Sequence, residues 1–195
     1  KHLPCITCDC GSIGNIWENY RPQKTGGGLE MNKYGIAHKL GDNINTDYII
    51  SAKRKRDTLD MKELSNYLLE DLDPEIRPKI KEGDYLVAGK NFGCGSSREF
   101  APRVIINAGI KAVIAESFGR IFYRNAVSTG LMLFICDTAN INDGEELELD
   151  LEKGLLANIT KSEVYNGDKF PKIMLDILKS GGLINYLREN GDFII

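Results

Sequence analysis

This sequence predicts an α/β domain, on three observations. Apolar runs of strand length, Tyr85–Ala88, Ala112–Ala115 and 131–136, alternate with helical segments. Leu147, Leu149 and Leu151 alternate like one face of a half-buried strand, and a second run at 155–160 follows across Lys153-Gly154, which is the pattern of an antiparallel pair. With 195 residues, 42% of them hydrophobic and 27% charged, the chain has the side chains for one well-filled core.

Residues 1–30 differ from the rest. Cys5, Cys8 and Cys10 crowd together, Trp17 follows, and a Gly26-Gly27-Gly28 run precedes Met31. Glycine-rich stretches behave as linkers, so 1–30 is read as a leader, tag or atypical extension and 31–195 as the domain. Cys-x-x-Cys with a third thiol nearby could hold zinc or an iron-sulfur group, but no fourth ligand stands at a suitable spacing. Segments 34–40 and 48–51 then read as strands around the turn-rich Gly41-Asp42-Asn43. Leu64, Leu68, Leu69 and Leu72 give helical spacing from about Met61, ending before Asp73-Pro74. After the strand Tyr85–Ala88 come a helix over 104–108 stopped by Gly109, the strand Ala112–Ala115, the helix Arg120–Thr129 and the strand 131–136. A helical region over 173–178 and 183–187 surrounds Ser180-Gly181-Gly182 at the carboxyl end. The central strand-helix-strand units look parallel and 147–160 antiparallel, so a mixed sheet is expected.

The formal net charge is only −3, which gives no global attraction for nucleic acid or an anionic membrane. No apolar run approaches the ~20 residues of a membrane span, and the amino terminus lacks a signal-peptide pattern. A cytoplasmic protein is expected. The odd count of five cysteines argues against a secreted disulfide framework, and His2 and His38 are the only histidines, which limits histidine-based chemistry.

The stretch Gly89-Lys90-Asn91-Phe92-Gly93-Cys94-Gly95-Ser96-Ser97-Arg98-Glu99 carries most of the chemistry. A strand runs into glycines, two hydroxyls and an arginine, and Pro102 suits the first turn of the helix that follows. Amides of 95–98 at a helix amino terminus are partly positive and suit an anion. Arg98 can grip a carboxylate with two nitrogens, and Ser96 and Ser97 place hydroxyls against the same ligand. A plainer reading makes Ser96 or Ser97 a helix cap, with Glu99 completing a capping box. No lysine precedes the serines as a phosphate loop needs, and Gly93-x-Gly95 lacks the third glycine of a dinucleotide fingerprint. The expected anion is a carboxylate or small acid.

The runs GDNINTDYII (41–50), GKNFGCGSSRE (89–99) and IKAVIAESFGRIFYRNA (110–126) together resemble the small subunits of the 3-isopropylmalate dehydratase and homoaconitase family, counterparts of the swivelling fourth domain of aconitase. The resemblance extends from about Met31 to the carboxyl terminus. It implies a compact swivelling β/β/α domain with a mixed, barrel-like sheet. It also implies that Ser96 is the general base that removes a proton from the carbon next to a carboxylate, with Ser97 and Arg98 holding carboxylate oxygens. Gly95 supports them through its amide, since a serine base needs an electropositive, preorganised site. Asp47, in Asn45-Thr46-Asp47, is assigned a positioning role, beside its plain reading as a turn aspartate.

The stretch Ser51-Ala52-Lys53-Arg54-Lys55-Arg56-Asp57 departs from the family's commoner proline, glycine, tyrosine and leucine. In the family this loop reaches the variable group of the substrate, so Arg56 is the candidate for a carboxylate contact and Arg54 the second. Four consecutive cations also fit a solvated loop. Arg120 and Arg124 are expected to support the serine loop through hydrogen bonds. The family's cluster thiolates lie on a separate large subunit, so no metal site is assigned to this chain and Cys94 is read as a neutral packed thiol. The implied cofactor is a four-iron four-sulfur cluster carried by that partner, and the implied substrate a small 2-hydroxy-dicarboxylate.

The activity so implied is hydro-lyase chemistry, interconverting 2-isopropylmalate and 3-isopropylmalate by dehydration and rehydration, as in leucine biosynthesis. Homoaconitase, dimethylmalate dehydratase and a maleate-type hydratase are alternatives on the same architecture. A noncatalytic anion- or RNA-binding module is the alternative from another class. Its support is the basic 53–56 stretch, against which stand the lack of a broad basic surface and of an aromatic stacking motif.

Overall fold

The computed structural model describes residues 34–96 and 99–192, with Lys55 described through its backbone alone. Seven strands form one sheet: β1 Gly35–Lys39, β2 Tyr85–Ala88, β3 Ala112–Ala115, β4 Met132–Ile135, β5 Glu146–Asp150, β6 Leu155–Asn158 and β7 Glu163–Asn166, in the order β4-β3-β2-β1-β5-β6-β7. β1 to β4 pair in parallel, with Leu86 opposite Val113 and Val113 opposite Leu133. β5 pairs antiparallel with β1 and with β6, and β6 antiparallel with β7, so the mixed sheet expected from the sequence is present.

Eight helices accompany the sheet among the described residues: α1 Thr46–Ile49, α2 Arg54–Asp57, α3 Met61–Leu64, α4 Ile76–Lys79, α5 Phe100–Asn107, α6 Arg120–Thr129, α7 Lys172–Lys179 and α8 Leu183–Asn190. α5 and α6 are the crossovers that let β2, β3 and β4 run parallel. Leu86, Ala88, Val113, Ala115 and Leu133 on one face of the sheet pack with Leu64, Leu68, Val104, Ile105 and Phe122 from the helical side. Ala37, Tyr85, Val87, Ile114 and Phe134 on the other face meet Leu147, Leu156 and Ile141. No helix covers that second face at these contacts; the sheet covers itself. Gly167, just past β7, lies so close to β4 that a Cβ there would stand 2.4 Å from the Ile135 carbonyl oxygen and 2.4 Å from Phe134 Cζ. The two edges of the sheet thus approach one another, and the sheet curls into a half-barrel.

Two expectations need correcting. The 48–51 segment is not a strand: Asn45 Oδ1 accepts from the amides of Asp47 and Tyr48, and this cap starts α1 at Thr46. The leucine periodicity after Met61 does not yield one helix to residue 72. α3 gives way to a 3-10 turn at Ser65–Tyr67, and Leu69 takes a left-handed backbone with φ 61°. The leucines still bury, because Leu64, Leu68 and Leu69 are each fully inaccessible. The short α4 and the strand β7 carry no periodic apolar signal and were not foreseen.

Candidate active site

Parallel strands bring their carboxyl ends to one edge, and the loops that leave them can converge there. Here three do. From the loop after β1, Asp42 Oδ1 accepts the Lys90 amide at 2.7 Å, and the Asn43 amide donates to the Lys90 carbonyl at 2.8 Å. From the loop after β3, Ser117 Oγ accepts the Asn91 amide at 2.8 Å, and the Ser117 carbonyl accepts the Phe92 amide at 3.0 Å. The Gly119 amide returns a bond to the Phe92 carbonyl at 2.8 Å, while the Gly93 amide donates to the Ile44 carbonyl at 2.7 Å. The loop after β2 is therefore gripped from both sides. Asn43 and Asn91 both sit at positive φ, 54° and 62°, a conformation asparagine tolerates better than most residues, and Asn91 Nδ2 donates to Asn43 Oδ1 at 2.9 Å.

Beneath this junction the fully buried Phe92 ring meets Phe122 edge-on at 5.3 Å and Phe118 at 6.1 Å. The chain then passes directly over Phe122. Gly93 has φ 74°, and a Cβ on it would lie 2.2 Å from Phe122 Cγ. The Phe92-Gly93 pair thus combines an anchor with the one residue type that fits above it.

Beyond Gly93 the loop is held by α1. The Thr46 amide donates to the Cys94 carbonyl at 2.9 Å, and Thr46 Oγ1 donates to the Ser96 carbonyl at 3.0 Å. Thr46 is buried, while Gly95 and Ser96 are exposed. The candidate base accordingly stands on the surface at the end of a backbone fixed from below. Asp47, which follows Thr46 in α1, is exposed, and its amide is used by the Asn45 cap.

The structure does not support the helix-capping reading of Ser96. α5 begins at Phe100 with Glu99 in the capping position and no side-chain cap bond, so Ser96 lies three residues too early. Glu99 pairs instead with Arg103, at 3.6 Å. Ser97 and Arg98, the proposed carboxylate holders, lie outside the described residues, as do residues 1–30 and their cysteines.

The two arginine candidates are separated. Arg54 Nε donates to Glu70 Oε1 at 2.6 Å and Nη2 to Oε2 at 2.9 Å, and its guanidinium lies 4.0 Å from the centre of the Tyr67 ring. Arg56 is exposed on the same helical turn. Arg120 and Arg124 are exposed and make no hydrogen bond or ion pair with another described residue, so the support expected of them comes instead from Ser117 and Gly119. Cys94 is half-buried and Cys136 buried, neither is in a disulfide, and burial pushes the Cys136 thiol up to about 12. Among the described residues no three His, Cys, Asp or Glu side chains stand together as a metal site.

The sequence reading passed over Thr46, Ser117 and Glu70. Thr46 and Ser117 lie inside quoted motif runs, but nothing in residue type tells which neighbour takes a hydroxyl. Glu70 had no local signal at all, since its partner is 16 positions away.

A parallel half-sheet closed by an antiparallel ribbon, with its loops converging on a glycine-serine turn, is the swivelling domain of the aconitase class, and a family model described as the aconitase C-terminal domain matches residues 12–136. The small subunit 2 of 3-isopropylmalate dehydratase from Archaeoglobus fulgidus is 48% identical over 165 residues, covering 85% of this chain and all of that protein. The small subunit from Clostridium botulinum is 50% identical over 161 residues, covering 82% of this chain and 99% of that one. A crystal structure of 3-isopropylmalate dehydratase from Methanocaldococcus jannaschii superposes with a TM-score of 0.78 at 45% identity, over 82% of this chain and 95% of that one. The chain belongs to the family of 3-isopropylmalate dehydratase small subunits.

Proposed function

We propose that this chain supplies the proton-transfer side of a 3-isopropylmalate dehydratase, a hydro-lyase active only when a large subunit completes it. The observation that carries the proposal is the three-loop junction, which fixes the backbone of the exposed Ser96 through Thr46. A base that must meet one carbon of a bound acid needs such a fixed mount.

In this proposal Ser96 takes the proton from the carbon next to a carboxylate. Ser97 and Arg98 hold carboxylate oxygens, Gly95 adds its amide, and Asp47 positions the loop. Arg56 contacts the substrate's far side. The four-iron four-sulfur cluster, which is assigned to the large subunit, supplies Lewis acidity toward the departing hydroxyl. The contribution proposed for this chain is acid-base and positional. Readdition of water at the neighbouring carbon moves the hydroxyl and gives the isomer. The catalytic domain in this reading is 31–195, with 1–30 as a leader, tag or atypical extension, and its place is the cytoplasm. No described helix is long and apolar enough to cross a membrane.

The test is anaerobic reconstitution with an iron-sulfur large subunit. The mixture should hydrate the alkene intermediate and interconvert the two isopropylmalates, and neither chain alone should. Full activity from the isolated small chain, or none from a verified complex, overturns the proposal.

A further inference from the structure

We propose that Glu70 and Tyr67 are positioning residues for the basic loop 51–57: they clamp Arg54 so that the turn carrying Arg56 keeps one orientation. The inference rests on the reading of Arg56 as a substrate contact. α2 is a single turn of four residues, and Lys53 gives it no side-chain cap. So short a helix does not hold itself together in water, and its geometry must come from contacts with the rest of the chain. Arg54 supplies them.

Two parallel N–H···O bonds to Glu70, of 2.6 and 2.9 Å, fix the plane of the guanidinium, and the Tyr67 ring backs it at 4.0 Å. An exposed ion pair ordinarily fixes little, but this one has two-pronged geometry, a stacked ring and partial burial of both partners. Arg56, outside the clamp, is exposed.

Glu70 is itself fixed by an unusual backbone. Leu69, immediately before it, is fully buried at φ 61°, a left-handed conformation that the branched side chain of a leucine disfavours. The Leu69 amide donates to the carbonyl of Ile49 at 3.1 Å. Ile49 closes α1, the helix whose Thr46 holds the Ser96 carbonyl. One frame therefore carries both loops: Ser96 is tied to α1, α1 to Leu69, and Leu69 turns Glu70 into the Arg54 clamp. A leucine held against its preferred backbone at that position is explained by the need to aim the next side chain.

The test has two independent readouts. In the free chain, hydrogen exchange should rise about tenfold in Glu70→Ala at the amides of Arg56 and Thr58, which close the α2 turn on Lys53 and Arg54, and should stay unchanged in β2 and β3. In the complex with the large subunit, Glu70→Ala should raise KM for isopropylmalate about tenfold with kcat within about twofold, and Arg54→Lys, which keeps charge without the fork, should fall between. Unchanged exchange at 56 and 58 overturns the clamp, and so does a uniform rise across the sheet, which would mark general destabilisation. Raised exchange with an unmoved KM overturns its link to substrate. A wild-type complex that does not turn over isopropylmalate counts against the proposed function, and the exchange result still decides the clamp.

Discussion

Thr46 Oγ1 donates to the carbonyl of Ser96 at 3.0 Å, so a buried hydroxyl on α1 sets the backbone of an exposed serine 50 positions further along. Thr46→Val keeps the shape and removes the bond. Stability should fall by about 1 kcal/mol, the ordinary worth of one such bond. Turnover of the reconstituted enzyme should fall by roughly tenfold, because a misplaced base loses its near-attack geometry. Thr46→Ser should recover most of the loss. Urea melts and steady-state rates on the three proteins check this, and full turnover in Thr46→Val would remove the strut from the account.

Gly93→Ala tests the crossing above Phe122. The new methyl would need to stand where Phe122 Cγ is 2.2 Å away, on a backbone at φ 74°. Strain and overpacking each cost about 1–3 kcal/mol, so a loss of at least about 2 kcal/mol is expected in urea denaturation. Gly93→Ala with Phe122→Leu should recover part of it, which a purely local backbone effect would not allow.

Acid stability should depend on Glu145. Burial by itself pushes this carboxyl up, but Lys161 Nζ at 2.7 Å, the Asn142 amide and the side-chain amides of Asn158 and Asn142 outweigh it, and its pKa falls from 4.5 to about 2. A folded pKa below the unfolded one stabilises the fold fully above about 4.5, and that stabilisation is lost as pH drops from there through about 2. Glu145→Gln should therefore be less stable than wild type at pH 6, and the difference should shrink between pH 4.5 and 3. Thermal melts across that range measure it; a constant difference would mean that Glu145 does not titrate as described.

The central parallel strands were legible because both faces are buried, which leaves near-continuous apolar runs at Tyr85–Ala88 and Ala112–Ala115. The antiparallel pair β5 and β6 was legible from alternation and the Lys153-Gly154 turn. The 48–51 segment was misread because Tyr48, Ile49 and Ile50 have strand-like side chains, and the Asn45 cap overrides them. The helix after Met61 was overextended because leucine spacing records burial, not backbone, and Leu69 buries from a left-handed turn. At the candidate site, residue types and their order singled out Ser96 and Gly95 as candidates, but the contacts that hold this loop come from Thr46, Ser117 and Phe122, each distant in sequence. Long-range hydroxyl-to-carbonyl bonds leave no periodic trace.

Thiol chemistry should separate the two described cysteines. Burial raises the Cys136 thiol to about 12, so its reactive thiolate is scarce at pH 8, and its side chain is nearly inaccessible. In the native chain iodoacetamide should modify Cys94 and leave Cys136 untouched, with both modified after denaturation. Peptide mapping by mass spectrometry reads the outcome. Rapid native labelling of Cys136 would show that the half-barrel opens around it.

The roles proposed for Ser96 and Arg56 can be told apart by the kind of defect each loss produces. Removing a proton from carbon is a transition-state event, so Ser96→Ala should lower kcat by about 100-fold or more while leaving substrate affinity within a few-fold. Arg56 is exposed and outside the Arg54 clamp, so Arg56→Gln removes charge from the surface without breaking a described side-chain contact. If it holds a carboxylate, its loss should raise the substrate dissociation constant about tenfold or more, with a smaller effect on kcat. Michaelis constants alone mix binding with later steps, so equilibrium binding should be measured in the assembled complex after subunit ratio and iron content are shown to be unchanged. A solvated cation with no ligand would leave affinity as it was, and Arg56 would then be struck from the site. Near-normal turnover in Ser96→Ala would be the heavier result, because the junction of the three loops would then hold a serine that the reaction does not need, and the base would have to be sought elsewhere in the complex.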